Sequence, residues 1–166
     1  MPIICFIFLK SIYIFRMPTN IWGNTTWLFF HTLVETIDET KFDILKPLII
    51  NIIKDTCEHL PCPYCAADAT KILAQAYIQN IKKKSHLVEF VRQFHNIVNV
   101  KLGNKTFTII EANKLSYATR SLIPIVNNLV QLYSIKHGLF KMMSYNMHKQ
   151  AFLKRLVINI NNLQKI

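Results

Sequence analysis

The sequence predicts an all-α fold, and three observations support this prediction. Apolar residues recur three and four positions apart along most of the chain, which is the spacing of one helix face. No segment alternates apolar and polar residues for long enough to form a sheet. Of the 166 residues, 51% are hydrophobic and only 3 are glycine, so the composition is that of a packed globular protein.

Two helices are predicted in the first third of the chain. The first covers residues 23–38 and carries apolar side chains at helical spacing. Residues 38–41 interrupt this pattern, and a second helix is predicted from Phe42 to Thr56. Pro47 falls near the first turn of the second helix, where a missing N–H is tolerated.

A turn at residues 60–63 precedes a third helix, which is predicted from Pro63 to about Ile81. Small residues repeat along one face of that helix and would let it pack closely. Ser85 is predicted to cap a fourth helix, and the glycine at position 103 is predicted to end it.

The remaining third is also predicted to be largely helical, after a short extended segment at residues 107–110. Residues 112–135 keep the helical periodicity and would bend at Pro124. A turn is predicted at residues 136–138, and residues 139–166 form a last, basic amphipathic helix. This last helix would complete the core or dock a partner, and the first of these roles is favoured.

Residues 1–16 form a separate hydrophobic segment. It is shorter than the roughly twenty apolar residues of a membrane-spanning helix. It also lacks the basic start and the small-residue cleavage site of a signal peptide. Met17 follows at once. We therefore expect either that Met17 is the working start, or that the segment associates with a membrane or with a partner helix.

The chain is basic, with a formal net charge of +11 and a pI near 9.6. Such a balance favours acidic partners, nucleic acid or an anionic membrane. However, the lysines are scattered, and residues 82–84 form the only tight run. We therefore expect no nucleic-acid partner, and an anionic cofactor would account for the charge equally well.

Four cysteines are present, which is too few for a disulfide scaffold in a chain of this length. Cys62 and Cys65 form a Cys-x-x-Cys pair between Pro61 and the predicted helix start at Pro63. The positive end of a helix dipole lowers the pKa of a thiol at that position. This arrangement indicates redox chemistry, with Cys62 as an exposed attacking thiol and Cys65 facing inward.

Other interpretations of the cysteine pair stay open at this point. Cys57, His59 and the pair could bind zinc, although the usual zinc layout is two separated pairs of ligands. A thioredoxin-like fold needs a strand before the pair, where a helix is predicted instead. The cysteines could also be incidental buried residues.

Three motifs occur in a fixed order. The first is Trp22–Trp27 with His31-Thr32, the second is Pro61–Asp68, and the third is His95–Gly103. The third motif places His95, Asn96 and Asn99 together on an otherwise apolar helix, which favours a polar ligand. Together the motifs resemble the Erv/ALR family of FAD-linked sulfhydryl oxidases over about residues 22–105. In composition and brevity the chain is most similar to members carried by large DNA viruses.

This resemblance implies a fold and an activity. The fold would be a small four- or five-helix bundle over residues 17–110, with FAD at its open end and a helical C-terminal extension over residues 111–166. Protein thiols would exchange with a Cys62–Cys65 disulfide, and Cys65 would contact the flavin. The electrons would pass to FAD and then to O2, giving H2O2. The resemblance also implies a homodimer that acts in the host cytoplasm or in the virion.

The resemblance implies a set of residues that contact FAD, and no metal. They are Gly23, Trp27, His31, His95, Asn96, Val98, Asn99, Leu102, Lys105 and Tyr117. The chain departs from the family where Asn24 replaces an arginine and where Asn104 replaces the lysine after the glycine. A pyrophosphate contact would therefore move to Lys105 or Lys101. The alternative function is a basic helical binding or scaffold module with a metal-bound or inactive cysteine pair.

Overall fold

The computed structural model of the protein describes residues 19–135 and 143–166. Within these two ranges the chain contains seven α-helices and no strand, so the predicted all-α fold is confirmed. The predictions for residues 1–16, for the turn at residues 136–138 and for the first residues of the last helix lie outside the described residues.

The helices follow one another in chain order with short connections. Their bounds are α1 Thr19–Glu35, α2 Phe42–Glu58, α3 Pro63–Gln75, α4 Lys84–Lys101, α5 Ile109–Asn113, α6 Leu122–Ser134 and α7 Met143–Lys165. Short 3-10 turns lie at Glu39–Lys41, Ile78–Asn80 and Tyr117–Thr119. Among the described helices, none is long and apolar enough to cross a membrane.

The bundle is organised around α1 and α2. Helix α1 packs against α4 and α6, while α2 packs against α3 and α7, and α6 also contacts α7. Fully buried side chains from these helices include Phe29, Leu87, Leu129 and Phe152. They belong to one continuous cluster, in which removal of apolar surface from water is the main stabilising contribution. Helices α6 and α7 are therefore part of the same packed core as the helices before them.

The start of α4 and the segment after it differ from the sequence prediction. Lys83 precedes the first residue of α4 and makes no side-chain cap, so the prediction that Ser85 is the cap is wrong. Residues 107–110 are not one extended segment, because Thr108 caps α5. Its hydroxyl accepts a hydrogen bond from the Glu111 N–H, and the Glu111 carboxylate accepts one from the Thr108 N–H. This reciprocal pair starts a helix at Ile109.

The continuous helix predicted over residues 112–135 is also wrong. Helix α5 ends at Asn113, and Ser116 has a left-handed backbone with φ of 49° that breaks the helical path. Helix α6 begins only at Leu122, so Pro124 lies in its first turn and does not bend a longer helix.

The bounds of the first three helices also shift. Helix α1 ends at Glu35 instead of residue 38, and α3 ends at Gln75 instead of Ile81, because Ala76 is extended. Pro47 lies inside α2, beyond its first turn.

Candidate active site

Cys62 and Cys65 form a disulfide at the N-terminus of α3, with their Cα atoms 5.2 Å apart. Cys62 is the N-cap residue, and its sulfur accepts a hydrogen bond from the Cys65 N–H at 3.2 Å. Pro63 occupies the first helical position, where a missing N–H removes no helical hydrogen bond. The predicted turn and helix start are therefore confirmed, and both sulfurs lie at the positive end of the helix dipole.

The two cysteines differ in their surroundings. Cys62 is only 6% exposed, because the turn formed by Leu60 and Pro61 is itself buried. The prediction that Cys62 is an exposed thiol is therefore wrong. Cys65 is partly buried and lies in the wall of a cavity, which agrees with its predicted inward orientation.

The cavity has a volume of about 390 Å³ and lies between α1, α2, α3 and α4. This volume is within the range of about 300–1,000 Å³ typical of small-molecule sites. Six residues that the motifs imply for FAD line it: Gly23, Trp27, His95, Val98, Asn99 and Leu102. Residues more than 70 positions apart in the sequence thus meet at one site beside Cys65.

His31 and Tyr117 lie outside this cavity, on the far side of His95. The Nε2 atom of His31 is 3.1 Å from the Nδ1 atom of His95. Trp27 stacks on His95 with ring centroids 4.0 Å apart, and Tyr117 stacks on His31 at 4.6 Å. The four rings form a continuous row that joins α1 and α4 to the 3-10 turn at Tyr117.

Both histidines in this row are neutral at pH 7. Burial lowers the pKa of His31 to about 4. Burial, followed by the nearby His31, lowers the pKa of His95 to about 3. Because each neutral ring has one N–H and one acceptor nitrogen, one histidine donates and the other accepts in their hydrogen bond.

Asn96 and Lys105 are directed to other groups. The Asn96 amide donates to the Phe107 carbonyl at 2.8 Å and accepts from the Phe107 N–H at 3.1 Å. Lys105 is exposed and pairs with Glu111 at 3.2 Å. The structure therefore does not bring these two residues to the cavity, and their role in binding FAD stays a prediction, as it does for His31 and Tyr117.

The end of α4 shapes the polar side of the cavity. Gly103 has a φ of 71°, and the Asn104 N–H bonds back to the Asn99 carbonyl at 2.8 Å. This is the Schellman arrangement that a glycine permits, as predicted for this position. Lys101, also in the cavity wall, pairs with both oxygens of Asp68 on α3, at 2.7 and 2.8 Å.

A family model described as the Erv1 / Alr family matches residues 24–118. This span is more than half of the chain, and it contains the disulfide, Tyr117 and every residue of the cavity wall except Trp22 and Gly23. The chain belongs to the Erv1/Alr family. Helices α6 and α7 follow the matched region. No curated protein and no solved structure matches the chain.

The Erv1/Alr family is known for FAD-linked sulfhydryl oxidase activity, and the cavity residues fit such a cofactor chemically. A flat ring system needs an apolar slot, which Trp22, Trp27 and Phe94 supply. A diphosphate needs cationic and N–H donors, and Lys101 and Asn99 are the candidates near the end of α4. Lys101 is paired with Asp68, and the Asn99 amide donates to the Lys105 carbonyl at 3.2 Å, so each would share or exchange these partners for a diphosphate.

Sequence reasoning missed part of the cavity wall. The unassigned members are Trp22, Thr26, Phe30, Cys57, Leu60, Asp68, Ala69 and Phe94. Trp22, Thr26 and Asp68 lie within two of the motifs, and that position is the only signal in the sequence that could have identified them. Cys57 is 1% exposed, and burial raises the pKa of its thiol.

A zinc site built on the cysteines does not form in the described part of this Erv1/Alr protein. Over residues 19–135 and 143–166, one group of three potential metal ligands lies within 4.8 Å, and it consists of Asp55, Glu58 and His59. Cys57 is not part of that group, and the cysteine pair is joined as a disulfide.

Proposed function

We propose that this Erv1/Alr protein is an FAD-dependent thiol oxidase that forms disulfides in partner proteins. Cys62 and Cys65 would take two electrons and two protons from a pair of substrate thiols, and bound FAD would supply the chemistry that delivers them to O2 as H2O2. One observation carries the proposal. Cys65, half of a disulfide, lies in the wall of a cavity that six of the residues implied for FAD also line.

The disulfide exchange follows from the chemistry of the helix end. A substrate thiolate attacks the sulfur of Cys62, and the sulfur of Cys65 leaves as a thiolate. A second substrate thiolate attacks the mixed disulfide, which releases the substrate disulfide and the Cys62 thiolate. The positive end of α3 stabilises both thiolates, and the Cys65 N–H already points at the Cys62 sulfur. Because Cys62 is buried, the turn at residues 60–62 has to move aside for the first attack.

The remaining residues hold and orient the cofactor. Trp27 and His95 offer stacked, neutral ring faces, and Asn99 and Lys101 offer donors to anionic oxygens. When bound, FAD supplies the two-electron chemistry and the reaction with O2. Cys57 lies in the same wall, but the raised pKa of its thiol opposes a role as a nucleophile.

The purified protein tests this proposal directly. We expect a flavin absorbance band near the usual ~450 nm and O2 uptake on addition of dithiothreitol. Cys62→Ser and Cys65→Ser should each abolish O2 uptake while the flavin stays bound. Cys57→Ser is the matched control, because this cysteine lines the cavity but lies outside the disulfide, and it should keep turnover. A colourless protein with stoichiometric zinc would refute the proposal, and a flavin-bound wild type without O2 uptake would indicate an inactive scaffold instead.

The proposal extends to partners and location on the strength of the resemblance to viral members. The substrates would be protein thiols, and the protein would act as a homodimer in the host cytoplasm or in the virion. Light scattering on the purified protein tests the dimer. Trapping by Cys65→Ser tests the substrates in the reverse direction of the exchange. The Cys62 thiolate of this variant attacks a disulfide of the oxidised partner and releases one partner thiolate, and no Cys65 thiol is present to displace the partner from the mixed disulfide.

A further inference from the structure

Tyr133 lies beyond the matched family region, yet its side chain reaches a residue of the cavity wall. It belongs to the last turn of α6 and is 0% exposed. Its hydroxyl oxygen is 2.8 Å from Oγ1 of Thr26, which lines the cavity. A phenol buried this deeply needs hydrogen-bonding contacts, and Thr26 of α1 provides one of them.

The direction of the hydrogen bonds can be assigned from the donors available. Oγ1 of Thr26 lies 2.7 Å from the Trp22 carbonyl oxygen, which can only accept. Thr26 therefore gives its single hydroxyl proton to Trp22, and Tyr133 donates to Thr26. The result is a one-way chain from α6 into the first turns of α1, and bonds in such a chain strengthen one another in a low-dielectric core.

We propose that Tyr133 is a positioning residue for the cofactor cavity. By donating to Thr26 it holds that side chain in one rotamer, and through Thr26 it holds the turn of α1 that carries Trp22 and Trp27 into the cavity wall. Helix α6 thereby supplies part of the site from outside the matched family region. This inference rests on the proposed function in one respect, namely that FAD is the ligand that binds in this cavity.

A purely structural role makes different predictions from a positioning role. If Tyr133 only fills the core, its hydroxyl affects stability but not the cavity. Leu129→Val provides the comparison, because Leu129 is a fully buried residue of the same helix and its side chain makes no hydrogen bond. Tyr77→Phe is the matched control for the chemical change, since Tyr77 is 74% exposed.

The first measurement needs no cofactor. The chain has two tryptophans, Trp22 and Trp27, and both line the cavity. Acrylamide quenching of their fluorescence in the apoprotein therefore reports on this wall. Tyr133→Phe and Thr26→Val should each raise the quenching constant above that of wild type and of Leu129→Val. The double variant should show no further rise, because both changes break the same chain.

The second measurement is the Kd for FAD, obtained by fluorescence titration of the apoprotein. Tyr133→Phe should weaken binding about three- to tenfold, as expected for the loss of one hydrogen bond, while Leu129→Val and Tyr77→Phe stay within about twofold. The inference is overturned if Tyr133→Phe lowers stability as Leu129→Val does but leaves the quenching constant and the Kd at wild-type values. If the wild type binds no FAD, the proposed function fails, and the quenching result still decides the role of Tyr133.

Discussion

The paired histidines predict that the protein loses stability between pH 7 and pH 5. Burial lowers the pKa of His31 to about 4 and that of His95 to about 3, whereas an unfolded histidine titrates near 6.5. As the pH falls through 6.5, the unfolded chain therefore binds protons that the folded chain does not. The free energy of unfolding thus rises with pH in this window and falls as the pH is lowered.

The magnitude follows from the difference between the folded and unfolded pKa values. At about 1.4 kcal/mol per pKa unit, the change from pH 7 to pH 5 amounts to roughly 2 kcal/mol for His31. His95 is less deeply buried, so solvent screening lowers its share, and we expect about 3 kcal/mol for the pair. Carboxylates with lowered pKa values, such as Glu89, lose their contribution mainly below this window.

Urea unfolding of the apoprotein at pH 7, 6 and 5 provides the assay. We expect His31→Gln to reduce the change in the free energy of unfolding between pH 7 and pH 5 by about 2 kcal/mol. This reduction is independent of any effect of the substitution on stability at pH 7. A wild type and a His31→Gln variant with the same slope would refute the assignment of neutral, buried histidines.

Three further predictions concern stability and the cavity. Phe152→Ala should lower the free energy of unfolding by about 3–5 kcal/mol in a urea titration, because Phe152 is fully buried; a loss under 1 kcal/mol would contradict the packing of α7. Gly103→Ala should lower the free energy of unfolding by about 1 kcal/mol, because the backbone at Gly103 has a φ of 71°. Gly23→Ala should raise the free energy of unfolding by about 0.5–1 kcal/mol, because Gly23 lies inside α1 and no atom lies within 4 Å of an added Cβ. Equal effects of the two glycine changes would contradict the backbone assignment. Asp68→Asn should lower the free energy of unfolding by less than about 1 kcal/mol, because the ion pair of Asp68 with Lys101 is half-exposed. A larger decrease that does not depend on salt concentration would refute this prediction.

The parts of the site that depend on local geometry could be predicted from the sequence. Cysteines three positions apart, with Pro63 after the first, define a helix start, because helix geometry places such residues one turn apart. Gly103 after a periodic segment likewise predicts a helix end, since a left-handed residue is needed there. The capping box at Thr108 and Glu111 is likewise a local signal, and it starts a helix at Ile109 where an extended segment is predicted.

Other features depended on which elements pack together. The burial of Cys62 follows from the turn at residues 60–62 entering the core, and nothing in its own motif indicates this. Asn96 lies beside His95 in the third motif, and its amide bonds to the Phe107 backbone, while its contact with FAD stays a prediction. A side chain at a given helical position can turn to either neighbour, so only the tertiary arrangement decides which polar group it binds.

By itself, the sequence determined the all-α class, the family and the cysteine pair at a helix start, because each of these depends on spacing along one helix or on short motifs. The tertiary structure alone decided that Cys62 is buried, that His31 pairs with His95, and that Tyr133 of α6 contacts Thr26 in the cavity wall. These contacts join residues 64 and 107 positions apart, and such pairings arise only when helices bury their apolar faces against one another.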